Sequence, residues 1–280
     1  MKSVERGLPP AVTPPRRAPR GDPRIKSGAG SPPQGEGGAT LLQLSAVTRR
    51  FGGLAAVDGV DLALGRGALL CLIGPNGCGK TTLFNLITGE LAPTSGEIRF
   101  AGDRIDGLRP FEVARRGVLR KFQIPGVYAD LSVAENLRIA AHSRGLRGVG
   151  EADSRTTPAA LLDLVRLSHR RAVLAADLPH GERQWLEIAM VVAASPRLML
   201  LDEPTTGMTA AETRATVALV RDLHAETGVA AIVIEHDMAF VADLAAPCAF
   251  MLRGRIALQG SFEEVRAAPL VRDAYLGAAV

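Results

Sequence analysis

The stretch Gly74-Pro75-Asn76-Gly77-Cys78-Gly79-Lys80-Thr81 decides the fold, because of what stands on either side of it. Before it, Ala68–Ile73 is a continuous apolar run, which is typical of a strand buried on both faces. After it, Leu83, Leu86 and Ile87 are spaced so that they share one face of a helix. The order of strand, glycine-rich loop and helix predicts an α/β fold with a mainly parallel sheet.

Residues 74–81, here called the phosphate loop, match the pattern G-x-x-x-x-G-K-[ST], which suits a nucleotide. The glycines let successive backbone N–H groups point inward around a phosphate, and the following helix adds a partial positive charge. The Lys80 ammonium group would reach the β- and γ-phosphates, and the Thr81 hydroxyl would bind Mg²⁺. The residues predicted to contact the nucleotide are Gly74, Pro75, Asn76, Gly77, Cys78, Gly79, Lys80, Thr81 and Thr82.

Two carboxylates, Asp202 and Glu203, follow a second apolar run, Leu198–Leu201. The carboxyl ends of parallel strands border the ligand crevice, so these acids are predicted to lie beside the phosphate loop. Asp202 is a candidate ligand of Mg²⁺. Glu203 is a candidate general base that polarises the attacking water, a role worth roughly 10²–10⁴ in rate.

Other segments predict further strands. Ala230–Ile234 is a third buried run. A two-residue turn lies between Cys248–Leu252 and Arg255–Leu258, which indicates a hairpin. Near the start, Leu42–Leu44 is followed by the alternating segment Val57–Leu62. This alternation is typical of an edge strand with one exposed face.

The 280 residues divide into a tail and a body. Residues 1–40 are rich in proline and glycine and carry seven basic and three acidic side chains, whereas the remaining residues carry 26 of each. We predict a disordered tail, because it has too few large apolar residues to offset the entropy of ordering. Contact with anionic lipid or nucleic acid and a plain solvated extension both stay open for it. Residues 41–280 are predicted to form the folded domain, with a helical insertion at about 116–180.

Composition excludes several classes of protein. With 47% apolar and 22% charged residues, the chain is neither fibrous nor wholly disordered. Its apolar runs are far shorter than the ~20 residues of a membrane-spanning helix, and no secretory signal is visible. Cys71, Cys78 and Cys248 lack CxxC spacing, which argues against a zinc site and fits a reducing cytosol. The neutral body has no basic stripe, so we expect the folded domain to have no nucleic-acid partner.

The phosphate loop alone is compatible with kinases, GTPases and many ATPases. Four further segments reduce the number of protein classes that fit. They are, in chain order, Arg50-Phe51-Gly52-Gly53, Arg120-Lys121-Phe122-Gln123, Leu178–Gln184 and Glu235-His236-Asp237-Met238. With the phosphate loop and the acid pair, this order resembles the ATP-binding cassette (ABC) transporter ATPases over about residues 41–280. The resemblance implies a P-loop NTPase (RecA-like) core, an N-terminal antiparallel β subdomain and a helical subdomain, with ATP and Mg²⁺ as cofactors.

The resemblance also implies individual roles. Phe51 would stack on adenine with Val57 beneath it, and an ordinary core phenylalanine is the alternative. Gln123 would contact Mg²⁺ or the lytic water, and it would relay the state of the site to a membrane partner. His236 would contact the γ-phosphate and hold Glu203 in place.

The signature segment departs from the family's Leu-Ser-Gly-Gly-Gln. Pro179 stands where the serine would grip the γ-phosphate of a second subunit, and losing such a bond costs about 1.5–3 kcal/mol. The Gly181 amide and the helix N-terminus remain, so His180, Gly181 and Glu182 are still predicted to contact nucleotide. ATP would then close a dimer less tightly. Thr209 stands where the family usually has an aspartate, and we do not count it as catalytic.

The resemblance implies several partners. In this family a signature helix is too far from its own phosphate loop, so two cassettes face each other head to tail as a homodimer or with a paralogous subunit. Two integral membrane permease subunits and, indirectly, a periplasmic substrate-binding protein would complete the assembly at the cytoplasmic face of the membrane. Ile124, Val127 and Tyr128 are candidates for the permease-docking surface, with local core as the alternative.

Two classes of function follow. A transporter ATPase is favoured over a cassette protein of translation or DNA repair, since the latter tends to carry two cassettes or a long coiled coil. Arg120–Gln123, His180–Glu187 and Gly207–Thr209 are most similar to the ATPases of urea and amide importers. We therefore expect urea or a short amide as cargo, with branched-chain amino acids as the alternative.

Overall fold

The computed structural model describes residues 39–121, 126–146 and 154–276. Most of the predicted tail, together with Gln123 and Ile124, lies outside the described residues.

Two sheets organise the described part of the chain. The strands are β1 (Thr40–Phe51), β2 (Leu54–Gly65), β3 (Leu69–Ile73), β4 (Ser95–Phe100), β5 (Asp103–Arg104), β6 (Val118–Lys121), β7 (Leu198–Asp202), β8 (Ala230–Ile234), β9 (Cys248–Leu252) and β10 (Arg255–Gly260). One sheet is antiparallel, in the order β2-β1-β4-β5. The other has the order β10-β9-β3-β8-β7-β6, and its strands are parallel except for β10.

The helices of the described residues pack against the larger sheet or against one another. They are α1 (Lys80–Ile87), α2 (Pro110–Arg115), α3 (Val133–Leu146), α4 (Pro158–Leu164), α5 (His180–Ala193), α6 (Ala210–Thr227), α7 (Met238–Leu244), α8 (Phe262–Ala267) and α9 (Pro269–Leu276). Local sequence explains several of their ends. For example, α6 begins at a capping box between Thr209 and Glu212 and ends at Gly228, whose φ is 61°.

The larger sheet is buried on both faces. Leu198 and Leu200 of β7 pack with α1 and the antiparallel sheet, whereas Met199 and Leu201 pack with the helices on the opposite side. Each such side chain contributes about 1.5–3 kcal/mol of burial free energy. This double burial is why the core strands are continuous apolar runs.

The architecture confirms the predicted α/β fold with a mainly parallel sheet and an antiparallel β subdomain. The hairpin is β9 and β10, and β2 is an edge strand with alternating burial. Within the described residues, no helix is both long and apolar enough to cross a bilayer.

The predicted helical insertion of about 116–180 is wrong at its start. Residues 118–121 form β6, which is parallel to β7 and belongs to the central sheet. This strand has four residues and includes Arg120 and Lys121, so it lacks the apolar run that marks the other core strands. Helices α3 and α4, with short 3₁₀ turns, follow it.

Candidate nucleotide-binding site

Lys80 points into the phosphate loop, which joins β3 to α1. Its side chain is buried, and its Nζ atom donates to the backbone oxygens of Gly74 at 2.7 Å and Pro75 at 3.2 Å. These partners are neutral carbonyl groups. An anionic phosphate in the loop would provide the buried ammonium group with charge-assisted hydrogen bonds.

Two glycines of the loop lie where no side chain fits. A Cβ atom on Gly74 would lie 2.1 Å from the backbone oxygen of Met251, and one on Gly79 would lie 2.2 Å from that of Ala56. Gly79 also has a φ of 109°, a conformation that side-chain-bearing residues rarely adopt. The loop is therefore clamped between β9 and β2.

The N-terminus of α1 faces the same loop. Its N-cap residue, Gly79, provides no side-chain cap, and no acidic residue lies in the first turn. The first amides of the helix therefore keep their capacity to bind an anion. Thr81 is exposed at this end, and Thr82 is half-buried.

The other loop residues differ in exposure. Asn76 and Gly77 are exposed, and Pro75 is half-buried. Cys78 is buried, and burial raises the pKa of its thiol. The thiol is therefore a poor nucleophile and lies out of reach of most reagents.

The acid pair ends β7. Asp202 is buried, and its Oδ2 atom accepts a hydrogen bond from Arg120 Nη2 at 2.6 Å. Glu203 follows with a φ of 46°, which costs a residue with a side chain about 1–2 kcal/mol. Thr206 Oγ1 donates to Glu203 Oε2 at 3.1 Å, so both the backbone and the carboxylate of Glu203 are held.

His236 lies beside Glu203 because of the strand order. Strand β8 lies between β3 and β7, so the residues that follow these three strands meet at one edge of the sheet. His236 Nδ1 is 3.8 Å from Glu203 Oε1, and the imidazole is half-exposed. The structure thus brings together two residues that are 33 positions apart in the chain.

The signature segment forms the first turn of α5. Pro179 is the N-cap and provides no side-chain hydrogen bond. His180 Nε2 is 3.0 Å from the backbone oxygen of Thr206, and Glu182 forms an ion pair with Arg170 at 3.0 Å.

Gly181 is buried against α6. A Cβ atom on Gly181 would lie 2.7 Å from Glu212 Oε1. Thr209, which stands in place of the family's aspartate, caps α6: its Oγ1 accepts a hydrogen bond from Glu212 N at 3.3 Å. Its side chain therefore has a structural task.

The aromatic residue at the end of β1 is exposed. Phe51 is 46% exposed, which disfavours the ordinary core alternative. The Arg49 guanidinium lies 4.8 Å from the centroid of its ring. Val57 is completely buried, so it supports this region from within the core.

The oxygen ligands suit magnesium when a nucleotide is bound. Among the described residues, no three His, Cys, Asp or Glu side chains cluster as a metal site. Mg²⁺ commonly takes one or two protein carboxylates and completes its shell with water and substrate phosphates. Thr81 and Asp202 fit that role, and Gln123, the third predicted ligand, lies outside the described residues.

Comparison with known proteins agrees with this geometry. The model of the ABC transporter family matches residues 57–206, more than half of the chain. The chain belongs to the ABC transporter family. The ATP-binding subunits of this family hydrolyse ATP, so the chain is an ABC ATPase.

Curated ABC relatives align over almost their full length. The high-affinity branched-chain amino acid transport ATP-binding proteins BraF of Pseudomonas aeruginosa and LivG of Escherichia coli K12 are 37% and 33% identical to this chain. Each alignment covers 85% of this chain and 98% of the relative.

A solved ABC structure has the same fold. The ADP conformation of MJ1267, an ATP-binding cassette of an ABC transporter, has a TM-score of 0.74 and is 27% identical. The match covers 85% of this chain and 99% of that one.

The sequence assigned no role to Glu235, which directly precedes His236 of this ABC ATPase site. Glu235 is buried, and its Oε1 atom accepts hydrogen bonds from Thr205 N at 3.1 Å and Thr205 Oγ1 at 2.6 Å. Burial raises the pKa of Glu235. It links the segments after β7 and β8, and an acid directly after a buried strand is the signal that could have indicated it.

Proposed function

We propose that this ABC ATPase hydrolyses Mg-ATP at the phosphate loop, with Asp202, Glu203 and His236 from its own chain and α5 from a second cassette. The convergence of the residues after β3, β7 and β8 at one sheet edge carries this proposal, with Glu203 Oε1 3.8 Å from His236 Nδ1. Either a second copy or a paralogous subunit would supply the second α5.

Each residue then has a chemical task. Lys80 and the first amides of α1 bind the β- and γ-phosphates. Thr81 and Asp202 hold Mg²⁺, which neutralises phosphate charge when bound. Glu203 orients the attacking water and takes its proton, and His236 holds the Glu203 carboxylate.

The exposed apolar side chains support docking on membrane permeases. Tyr128, Ile139 and Leu174 belong to the helical region between β6 and α5, and each is at least 40% exposed. Val127 instead packs against the core, so we place the docking surface on these three residues. The chain would then act as a peripheral subunit at the cytoplasmic face.

For cargo, we propose urea or a short amide. The segments Arg120–Gln123, His180–Glu187 and Gly207–Thr209 support this choice through their resemblance to the urea-type ATPases. Branched-chain amino acids are the second candidate, because BraF and LivG carry that name. The ATPase does not contact the cargo, so the permeases and the binding protein must distinguish the two.

Reconstitution tests both the transport role and the identity of the cargo. The chain is combined in liposomes with the two proposed permeases and the proposed binding protein, and ATP hydrolysis is measured with urea, acetamide or leucine. Stimulation by urea or acetamide supports the proposal, whereas stimulation by leucine alone selects the second candidate. Loss of stimulation in Lys80→Ala is the expected control, and activation by ribosomes or DNA would overturn the transport role.

A further inference from the structure

The last two residues of β6 hold buried charges on opposite faces of the central sheet. Successive strand residues point to opposite faces. Arg120 points toward α1, where its Nη1 atom donates to Asn85 Oδ1 at 2.5 Å while Nη2 donates to Asp202. Lys121 points toward α5, where its Nζ atom lies 3.2 Å from Glu187 Oε2.

The pair Lys121–Glu187 is almost completely removed from solvent. Its side chains are 2% and 6% exposed. Burial raises the pKa of Glu187, and the Lys121 ammonium group opposes that rise. A buried ion pair seldom adds stability over a well-packed apolar pair, so a geometric role is the better explanation for it.

Glu187 lies two helical turns after His180, so both project from the same face of α5. At a rise of about 1.5 Å per residue, the two positions are about 10 Å apart along the helix. His180 contacts the backbone oxygen of Thr206, and Glu187 contacts Lys121. Besides its apolar packing and the hydrogen bond from Trp185 to Thr216 of α6, helix α5 is thus held at two points along one face, by the segment after β7 and by β6. Two such points constrain its direction.

We propose that Lys121 and Glu187 are positioning residues that fix the direction of α5, so that its first turn meets the nucleotide of a second cassette. The inference rests on the proposed function, in which α5 acts on the partner's site. Arg120, the preceding residue, holds Asp202 of the chain's own site. Two neighbouring residues of β6 therefore hold the parts of two different sites.

Replacing the Lys121–Glu187 pair with apolar residues distinguishes a role in positioning α5 from a role in the stability of the fold. In the double variant Lys121→Met/Glu187→Leu, the volume is kept while the directional ion pair is lost. We expect an unchanged or higher thermal unfolding midpoint and an unchanged Kd for Mg-ADP, which binds the single chain. ATP-driven dimerisation and turnover are expected to fall about tenfold, measured by sedimentation and phosphate release.

Two further variants complete the test. Lys121→Arg keeps the charge, and its guanidinium can reach both oxygens of Glu187, so dimerisation is expected to stay within about threefold of wild type. The exposed pair in α8 is the matched control: Arg266→Met/Glu263→Leu removes an ion pair of 3.0 Å and is expected to change neither readout.

The outcomes are distinct. Wild-type dimerisation and turnover in Lys121→Met/Glu187→Leu would overturn the inference, and so would a weakened Kd for Mg-ADP, because the damage would then not be confined to α5. If the wild-type protein itself fails to bind or hydrolyse Mg-ATP, the proposed function fails instead.

Discussion

Pro179 is the residue at which the signature segment loses a hydroxyl, and the structure makes it the uncapped N-cap of α5. A serine at this position would cap the helix, worth about 1 kcal/mol, and would offer a hydrogen bond to phosphate. We expect Pro179→Ser to raise the unfolding midpoint and to tighten ATP-driven dimerisation several-fold, measured by sedimentation. Pro179→Ala removes the ring without adding the hydroxyl. Equal behaviour of the two variants would contradict this role.

Glu203 is the second residue whose chemistry can be tested alone. The side chain introduced by Glu203→Gln would keep the shape of the glutamate and the bond from Thr206, but it could not take a proton. Turnover is expected to fall by roughly 10²–10⁴ with unchanged unfolding, while the ATP-bound dimer accumulates. Phosphate release and gel filtration measure the two effects. The exposed Glu263→Gln is the control, and a loss below threefold in Glu203→Gln would exclude a general-base role.

The phosphate loop depends on its fit between β2 and β9. Gly79→Ala would place a Cβ atom 2.2 Å from the backbone oxygen of Ala56, whereas Gly102→Ala meets nothing within 4 Å. Both glycines have a φ near 100°, at 109° and 91°, so the comparison isolates the collision from the backbone strain.

We expect Gly102→Ala to lower the free energy of unfolding by about 1–2 kcal/mol and to leave nucleotide binding intact. Gly79→Ala is expected to lower it further and to abolish Mg-ATP binding. Urea denaturation and calorimetric titration measure the two quantities. If both variants bind Mg-ATP equally, the clamped loop is not the nucleotide site.

A site shared between two copies of the whole chain predicts complementation between two inactive variants. Lys80→Ala removes the phosphate-binding ammonium group, and Gly181→Asp puts a carboxylate at the N-terminus of α5, close to Glu212. Each variant alone is expected to lose about 10²–10³ in turnover. Mixed in equal amounts, they should recover about a quarter of wild-type turnover, because half of the dimers are mixed and each has one intact site.

The control mixture contains no intact site. It combines Lys80→Ala with Lys80→Ala/Gly181→Asp, and it is expected to stay inactive. Phosphate release at equal total protein concentration measures both mixtures. If the first mixture also stays inactive while Gly181→Asp still binds Mg-ATP, a head-to-tail homodimer is excluded and a paralogous partner is favoured.

The local sequence pattern was enough to predict the phosphate loop, the buried strands and the position of the acid pair. Each combines a backbone requirement with a side-chain requirement inside one short segment, such as the glycines around Lys80 or the apolar run before Asp202. The same reasoning failed at β6, because its two charges conceal a core strand when their partners are not known.

The contacts between distant segments could be found only in three dimensions. The order of strands places His236 beside Glu203 and Glu235 beside Thr205, whereas the packing of α5 on β6 joins Lys121 to Glu187. Each pair unites residues far apart in the chain, and their meeting depends on which strands are neighbours in the sheet and on which helix packs against them. Functional residues that lie within one short segment can therefore be predicted from the sequence. Contacts between segments become visible only in the packed structure, because neighbouring parallel strands are joined through long crossover connections.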